Sequence, residues 1–528
     1  MTEPSHYGEP VVSERRADVS VLRPGAARGT PPLPRAEVRE THTAVVMFVG
    51  DRAYKVKKPV DLTFLDYTTV AARQTACERE VALNRRFAPD VYLGIGEFSS
   101  PDAELPEPVV VMRRMPTERR LSQLVREGMA VDDSLRAVAR LLAAHHARAP
   151  RSREVDEQGT RDALSSRWEA SFAQVRALSD DGAAPDGVEE VERLVRRYLA
   201  GRRHLFDTRI EQGRVVDGHG DLLAEDVFCL DDGPRVLDCL EFDDNLRYVD
   251  GLDDAAFLAM DLEQLGAPEA AAFFLAEYGE YSGDPAPPSL RHHYVAYRAF
   301  VRAKVSLIQA RQGTPRAEAA ARRLITTAVR HLRVSAVGLT LVGGLPGSGK
   351  STLSGALADR LGVTLLSSDR LRKELAGIPA EQSAAAGYGE GLYSPEWTNK
   401  TYAALLDRAS TLLSRGESVV LDATWTDAGQ REAALRMAER THADLVALHC
   451  RVPGETTAAR LTTRAPGASD AGLDVATAMA ATEPPWPEAV RVDTSGSLES
   501  AVVQALAAIR PHATSQVPVF RRPYMEPD

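Results

Sequence analysis

A chain of 528 residues is too long for one hydrophobic core, so two or three domains are expected. Its 44% hydrophobic and 26% charged residues are an ordinary globular balance. The net charge of -11 argues against a nucleic-acid or anionic-membrane partner. No apolar run is long enough for a membrane span, and the acidic, non-apolar start (Glu3, Glu9, Glu14) does not read as a secretory signal. Cys77, Cys229, Cys239 and Cys450 are scattered without metal-ligand spacing, the usage of reduced thiols in a cytoplasmic protein.

Residues 1–35 are rich in Pro, Gly, Arg and Glu and are expected to form a disordered arm. Ala44–Val49, a Gly50-Asp51 turn and Arg52–Lys57 then predict a β-hairpin. Thr69 to Phe87 has helical periodicity, and Pro108–Met112 reads as a strand. Residues 132–148 and 186–205 predict amphipathic helices. Val227–Leu230 and Arg235–Asp238, joined through Asp231-Asp232-Gly233-Pro234, predict a second hairpin, and helices dominate from 251 to 333. A boundary falls near 334–336. Beyond it strand and helix signals alternate (337–342, 350–361, 363–367, 399–415, 418–422, 429–440, 444–450), which predicts a parallel sheet covered by helices. Residues 513–528 read as a tail.

Phosphoryl transfer needs positioning and charge neutralisation more than covalent chemistry, and the first half carries residues suited to it. Ala53 and Lys55 share one face of a predicted strand, leaving room for adenine and reach to the phosphates. Glu78 and Glu80 on the next helix are candidate partners for Lys55. Asp221, in His219-Gly220-Asp221-Leu222, and Asp238, 17 positions later across the predicted hairpin, can meet in one cleft.

These residues resemble the aminoglycoside phosphotransferase/choline kinase branch of the protein-kinase-like fold over residues 36–333, with an N-lobe at 36–125 and a helical C-lobe at 126–333. The resemblance implies Asp221 as catalytic base and Asp238 as a metal ligand. It implies Lys55 and Glu80 as the phosphate-positioning pair, with Met112 to Pro116 near adenine. Leu223 and Asp226 stand where the family has His and a metal-binding Asn; Asp226 still offers a hard oxygen donor to Mg²⁺. These departures leave open a non-catalytic module.

The second half holds Gly344-Leu345-Pro346-Gly347-Ser348-Gly349-Lys350-Ser351, the pattern G-x-x-x-x-G-K-[ST], between an apolar strand and a helix that Thr352 continues. Backbone N–H groups of such a loop cradle phosphate, Lys350 reaches its outer oxygens and Ser351 suits Mg²⁺. Asp369, 19 positions after Lys350, opens the next helix at the same sheet edge, where it can activate an acceptor hydroxyl or serve as an N-cap. Arg372 lies one turn on and suits a substrate anion. Asp422 ends a buried strand and is a second candidate for ordering Mg²⁺. Arg460 and Arg464, at i and i+4 on one helix face, suit a phosphate clamp or a solvated face.

Over 336–512 this ensemble resembles small P-loop kinases: gluconate and shikimate kinases, polynucleotide 5′-hydroxyl kinases and zeta-toxin-like kinases. The order of the halves resembles bacterial two-domain proteins with an aminoglycoside phosphotransferase-like region fused to a P-loop region. Tyr54-Lys55-Val56-Lys57-Lys58-Pro59 and Glu241-Phe242-Asp243-Asp244-Asn245-Leu246-Arg247-Tyr248-Val249-Asp250 carry that likeness. The expectation is a cytoplasmic, ATP- and Mg²⁺-dependent phosphotransferase acting on a hydroxyl of a small sugar- or aminoglycoside-like metabolite. The alternative is an ATP-binding sensor or ATPase with a regulatory pseudokinase half.

Overall fold

The computed structural model describes residues 36–41, 43–62, 65–99, 106–178, 184–379, 382, 390–463 and 473–509. The expected arm at 1–35, the tail at 513–528 and Arg464 lie outside the described residues. The chain divides into two compact units. The first comprises residues up to Arg193, Phe206–Ala286 and Arg291–Arg333, and the second Leu194–Leu205, Pro287–Leu290 and the chain from Val334. Among the described residues no helix is long and apolar enough to cross a membrane. All four cysteines are free and buried.

In the first unit, β1 (Glu37–Glu40), β2 (Ala44–Val49), β3 (Arg52–Lys57), β6 (Tyr92–Phe98) and β7 (Glu107–Arg113) form an antiparallel sheet in the order β1-β2-β3-β7-β6. Gly50-Asp51 closes the β2–β3 hairpin with Val49 opposite Arg52. A short hairpin follows, β4 (Asp61–Leu62) with β5 (Leu65–Asp66). Helix α1 (Val70–Asn84) begins at Thr69, whose hydroxyl caps it by accepting from the Ala72 N–H at 3.1 Å. Its face carrying Cys77 and Val81 packs with Ala88, Val91, Tyr92 and Val110 as the core beneath the sheet.

Helices α2 (Leu121–Arg126), α3 (Asp132–Arg148), α4 (Arg153–Gln158) and α5 (Arg161–Ala177) come next, then α6 (Val188–Ala200) and α7 (Arg203–Glu211). The single helix expected over 186–205 is therefore two. Gly201 is a poor helix former, and the Arg202 N–H closes a turn on the Leu199 carbonyl at 3.2 Å.

The site-bearing loops lie between β8 (Val215–Asp217) and β11 (Tyr248–Asp250), which pair antiparallel. Between them β9 (Val227–Leu230) and β10 (Gly233–Val236) make a hairpin. Its turn is Asp231-Asp232, so Leu237 and Asp238 leave the strand rather than extend it, because Gly233 supplies the positive φ of 119° beside the turn. Helices α8 (Gly251–Gln264), α9 (Pro268–Ser282), α10 (Pro288–Arg311) and α11 (Ala317–Val334) follow.

The second unit is built on a five-stranded parallel sheet. Its strands are β12 (Gly338–Gly343), β13 (Thr364–Ser367), β14 (Val419–Asp422), β15 (Asp444–Arg451) and β16 (Val490–Asp493), in the order β13-β14-β12-β15-β16. The intervening helices are α12 (Lys350–Leu361), α13 (Ser368–Leu375), α14 (Pro395–Ser414), α15 (Ala428–Arg440), α16 (Gly454–Thr463) and α17 (Leu473–Thr482), and α18 (Leu498–Ile509) follows β16. Every residue of β14 is buried, as a strand covered on both faces requires. Val342, Leu353, Leu357, Val420, Leu448 and Val502 belong to one core.

Candidate functional site

In the second unit, register brings three chain segments to one sheet edge. Asp422 lies opposite Val342 on β12 and Ser367 on β13. The phosphate-loop segment leaves β12 at Gly343, and Ser368-Asp369 opens α13 directly after Ser367. The loop turns through positive φ at Gly344 (141°), Gly347 (82°) and Gly349 (84°). A Cβ at Gly344 would stand 2.6 Å from Ser348 Oγ and 2.9 Å from the Cys450 carbonyl, so only glycine fits there.

Lys350, 9% exposed, is the first residue of α12. Asp422 is buried, and among the described residues its Oδ1 has no hydrogen-bond partner. Burial pushes the Asp422 carboxyl above its ordinary range; the Lys350 ammonium and the Ser351 and Ser367 hydroxyls oppose that shift. Ser348 Oγ is likewise buried and without a partner among the described residues, while the Ser348 carbonyl accepts from Thr494 Oγ1 at 2.5 Å. Arg460 on α16 donates to the Thr494 carbonyl at 2.7 Å, and its Nη1 lies 3.2 Å from where a Gly349 Cβ would be. Arg460 thus stands beside the loop.

Asp369 accepts from Arg372 Nη1 at 3.0 Å, and the Arg372 guanidinium sits 4.5 Å from the centre of the Tyr393 ring. The pairing follows from their i, i+3 spacing on α13. Beyond them the Tyr402 hydroxyl bonds Thr424 Oγ1 at 3.1 Å and receives the Trp425 N–H at 3.2 Å. Trp425 holds φ at 55°, unusual for a bulky residue. Tyr402 and Thr494 carry no motif signal, since each reads as an ordinary core or strand residue.

In the first unit, the structure brings Lys55, Glu80 and Asp238 together. Lys55 Nζ lies 2.9 Å from Glu80 Oε1 and 2.8 Å from Asp238 Oδ1. Glu80 is fully buried, whereas Glu78 is exposed and takes a bond from Gln74 Nε2 at 2.7 Å. Burial works against the charge on Lys55, but Asp238 and Glu80 hold it protonated well above its ordinary range. The Lys55 ammonium in turn holds the Asp238 carboxyl below its ordinary range. Asp238 has φ 62°, a left-handed conformation that aspartate tolerates better than most side chains, and its N–H donates to the Tyr92 hydroxyl at 3.2 Å.

Asp221 sits on a loop that Asp254 of α8 fastens from below. Asp254 accepts from the N–H groups of His219 and Gly220, each at 2.8 Å, and pairs with His146 Nε2 at 3.0 Å. The approach is close enough that a Cβ at Gly218 would stand 2.6 Å from Asp254 Oδ2. Burial, reinforced by the Asp238 charge, pushes Asp221 up to about 7. The same two causes raise Asp226 well above its ordinary range. Among the described residues no group of three or more His, Cys, Asp or Glu side chains converges as around a metal ion. Asp254 itself had no sequence signal, because it reads as one more polar residue of a helix.

A pH dependence follows from Asp254. Burial opposes its ionisation, yet the bonds from His146 and His219 hold the carboxyl well below its ordinary value of 3.8. A depressed carboxyl stabilises the fold above the unfolded value and loses that contribution as pH falls through the folded one. Urea midpoints of the wild type are therefore expected to drop below about pH 4, and Asp254→Asn to flatten that acid limb. An unchanged acid limb in Asp254→Asn would refute the assignment.

Residues 339–485 match the AAA domain family, so the second unit carries a P-loop domain of that class. Solved structures similar to this region include a gluconokinase from Sinorhizobium meliloti 1021, at 22% identity over 33% of this chain and 92% of that one (TM-score 0.25). Another is the Mycobacterium tuberculosis APS kinase CysC in complex with AMPPNP and APS, at 20% identity over 33% of this chain and 99% of that one (TM-score 0.26). Over nearly its whole length the chain is 45% identical to Rv2004c of Mycobacterium tuberculosis H37Rv and to Mb2027c of Mycobacterium bovis, both described as uncharacterized proteins. Each alignment spans 472 residues, 89% of this chain and 95% of the relative. The chain belongs to the family of these mycobacterial proteins.

Proposed function

We propose that the second unit is an ATP- and Mg²⁺-dependent phosphotransferase that moves the γ-phosphate to a hydroxyl of a small polar, sugar- or aminoglycoside-like metabolite. One observation carries this reading: Lys350, Ser351, Asp422 and Asp369 share one sheet edge, and Asp422 presents a buried oxygen without a partner among the described residues. An orphaned carboxylate oxygen next to the Ser351 hydroxyl fits a hard divalent cation. Ser351 and Asp422 are the residues that hold it, and when bound it neutralises phosphate charge. The loop N–H groups and Lys350 bind the phosphates, and Arg460 closes the nucleotide side. Asp369, oriented by Arg372, accepts the proton of the acceptor hydroxyl as its oxygen bonds to the γ-phosphorus. The bond from that phosphorus to the β–γ bridging oxygen breaks, and ADP leaves.

A second phosphotransfer cleft in the first unit is favoured by one observation there: Lys55 is clamped between Glu80 and Asp238. In this reading Lys55 meets nucleotide phosphate, Asp238 and Asp226 suit metal, and Asp221 serves as base. The first unit then phosphorylates a second hydroxyl or regulates the other unit. The rival reading, an ATP sensor or ATPase with a pseudokinase module, draws on Leu223 and Asp226.

The test is ³¹P NMR of ATP turnover against pooled sugars, aminoglycosides and nucleosides, with wild type beside Lys350→Ala and Asp221→Ala. A phospho-product lost only in Lys350→Ala supports the second unit as the enzyme. Loss only in Asp221→Ala transfers the activity to the first unit. Hydrolysis without any product, abolished by Lys350→Ala, favours the sensor.

A further inference from the structure

Five charged groups of the first unit form a ladder of alternating sign: Asp238, Lys55, Glu80, Lys57 and Glu241. Beyond the Lys55 contacts already given, Lys57 Nζ lies 2.6 Å from Glu80 Oε2 and 2.5 Å from Glu241 Oε1. Strand geometry sets this up, because Lys55 and Lys57 are two apart on β3 and so project from the same face. Glu80 gives one oxygen to each lysine. Asp238 and Glu241, three positions apart on the segment after β10, take the outer ends. Lys57 is 2% exposed, so removing one of its partners leaves buried charge uncompensated.

The ladder changes what Lys55 is free to do. Were Lys55 the sole partner of Glu80, drawing its ammonium toward a phosphate would strip a buried carboxylate of compensation. With Lys57 in place, Glu80 stays paired. Lys57 also ties β3 to the Asp238–Glu241 segment, which keeps Asp238 facing Lys55. Burial disfavours charge on Lys57, yet Glu241 and Glu80 hold it protonated, so the tie persists across neutral pH.

We propose that Lys57 is a positioning residue for nucleotide phosphate in the first unit: by compensating Glu80 and anchoring Glu241, it releases the Lys55 ammonium for the phosphates. This rests on the reading of that cleft as a nucleotide site.

The test uses the full-length chain carrying Lys350→Ala, so that the phosphate loop is silenced, and calorimetric titration with Mg·ATP and with adenosine. The parent is expected to bind ATP more tightly than adenosine, and Lys55→Met to erase that preference. Absence of the preference, or its survival in Lys55→Met, refutes the cleft itself before Lys57 is altered. Given the preference, Lys57→Met is expected to weaken ATP at least about tenfold and adenosine by less than about twofold, since only phosphate feels the freed charge. Equal weakening of both ligands would mean a packing role and overturn the proposal, as would no weakening of either. Glu241→Gln leaves the Lys57–Glu80 contact intact and serves if Lys57→Met does not fold. It is expected to show the same selective loss at several-fold size, and an ATP affinity equal to the parent's would overturn the proposal.

Discussion

Lys350→Ala is expected to lower ATP turnover by at least ~100-fold, the scale of losing one preorganised charge at a phosphoryl-transfer site. Lys350 is nearly buried, starts α12 and supplies the cation next to Asp422. Removing it deletes the charge that meets the phosphates and leaves Asp422 without its nearest cation. The fold is expected to tolerate this, because Asp422 is already displaced toward its protonated form and can take a proton in place of the partner. Thermal melting followed by probes in the second unit, with and without Mg·ATP, separates the two effects: the ligand-free melting temperature of that unit stays near wild type, and its ATP-induced rise disappears. Lys350→Arg is not expected to rescue turnover, since a planar guanidinium does not occupy the space of a point ammonium. Retention of the second unit's own ATP-induced rise in Lys350→Ala would remove the phosphate loop from the nucleotide site.

Glu80→Ala is expected to destabilise the first unit by about 3–5 kcal/mol, the usual cost of leaving buried charge uncompensated. Glu80 has no exposed surface and holds two ammoniums, at 2.9 Å and 2.6 Å. Its loss leaves Lys55 and Lys57 close together with one carboxylate each. Glu80→Gln keeps the shape and removes the charge, so the difference between the two variants reports the cavity. Denaturant unfolding followed by probes in the first unit makes the measurement, because a chain with two compact units need not unfold in one step. A loss below about 1 kcal/mol in Glu80→Ala would show that the ladder is solvated, contrary to its burial.

The parallel sheet of the second unit was readable because its strands are short apolar runs bounded by Gly and polar residues, and its phosphate-loop glycines stand in the order that backbone geometry requires. Strand β16 was missed because Val490, Arg491 and Asp493 are exposed and only Val492 is buried, so its pattern resembles a loop. Strand β6 escaped because Gly94 and Gly96 interrupt it. In the first unit Lys55 and Glu80 were legible as a pair; Lys57 was legible as part of the Tyr54–Pro59 likeness, but its partners were not. A lysine in an alternating strand normally marks the solvent face, and only the tertiary pairing with Glu80 and Glu241 reverses that meaning. Asp254 was invisible for the same reason: its partners His146 and His219 are distant in sequence and converge only in the fold.

The central place of β12 has a consequence for synthesis. Its partners begin at Val419 and Asp444, so the strand that launches the phosphate loop leaves the ribosome well before either neighbour exists. At about 5–20 residues per second the segment up to Arg451 takes roughly 5–20 s more to emerge. For that interval Leu339, Leu341 and Val342, all buried in the finished sheet, are apolar side chains with no sheet to enter.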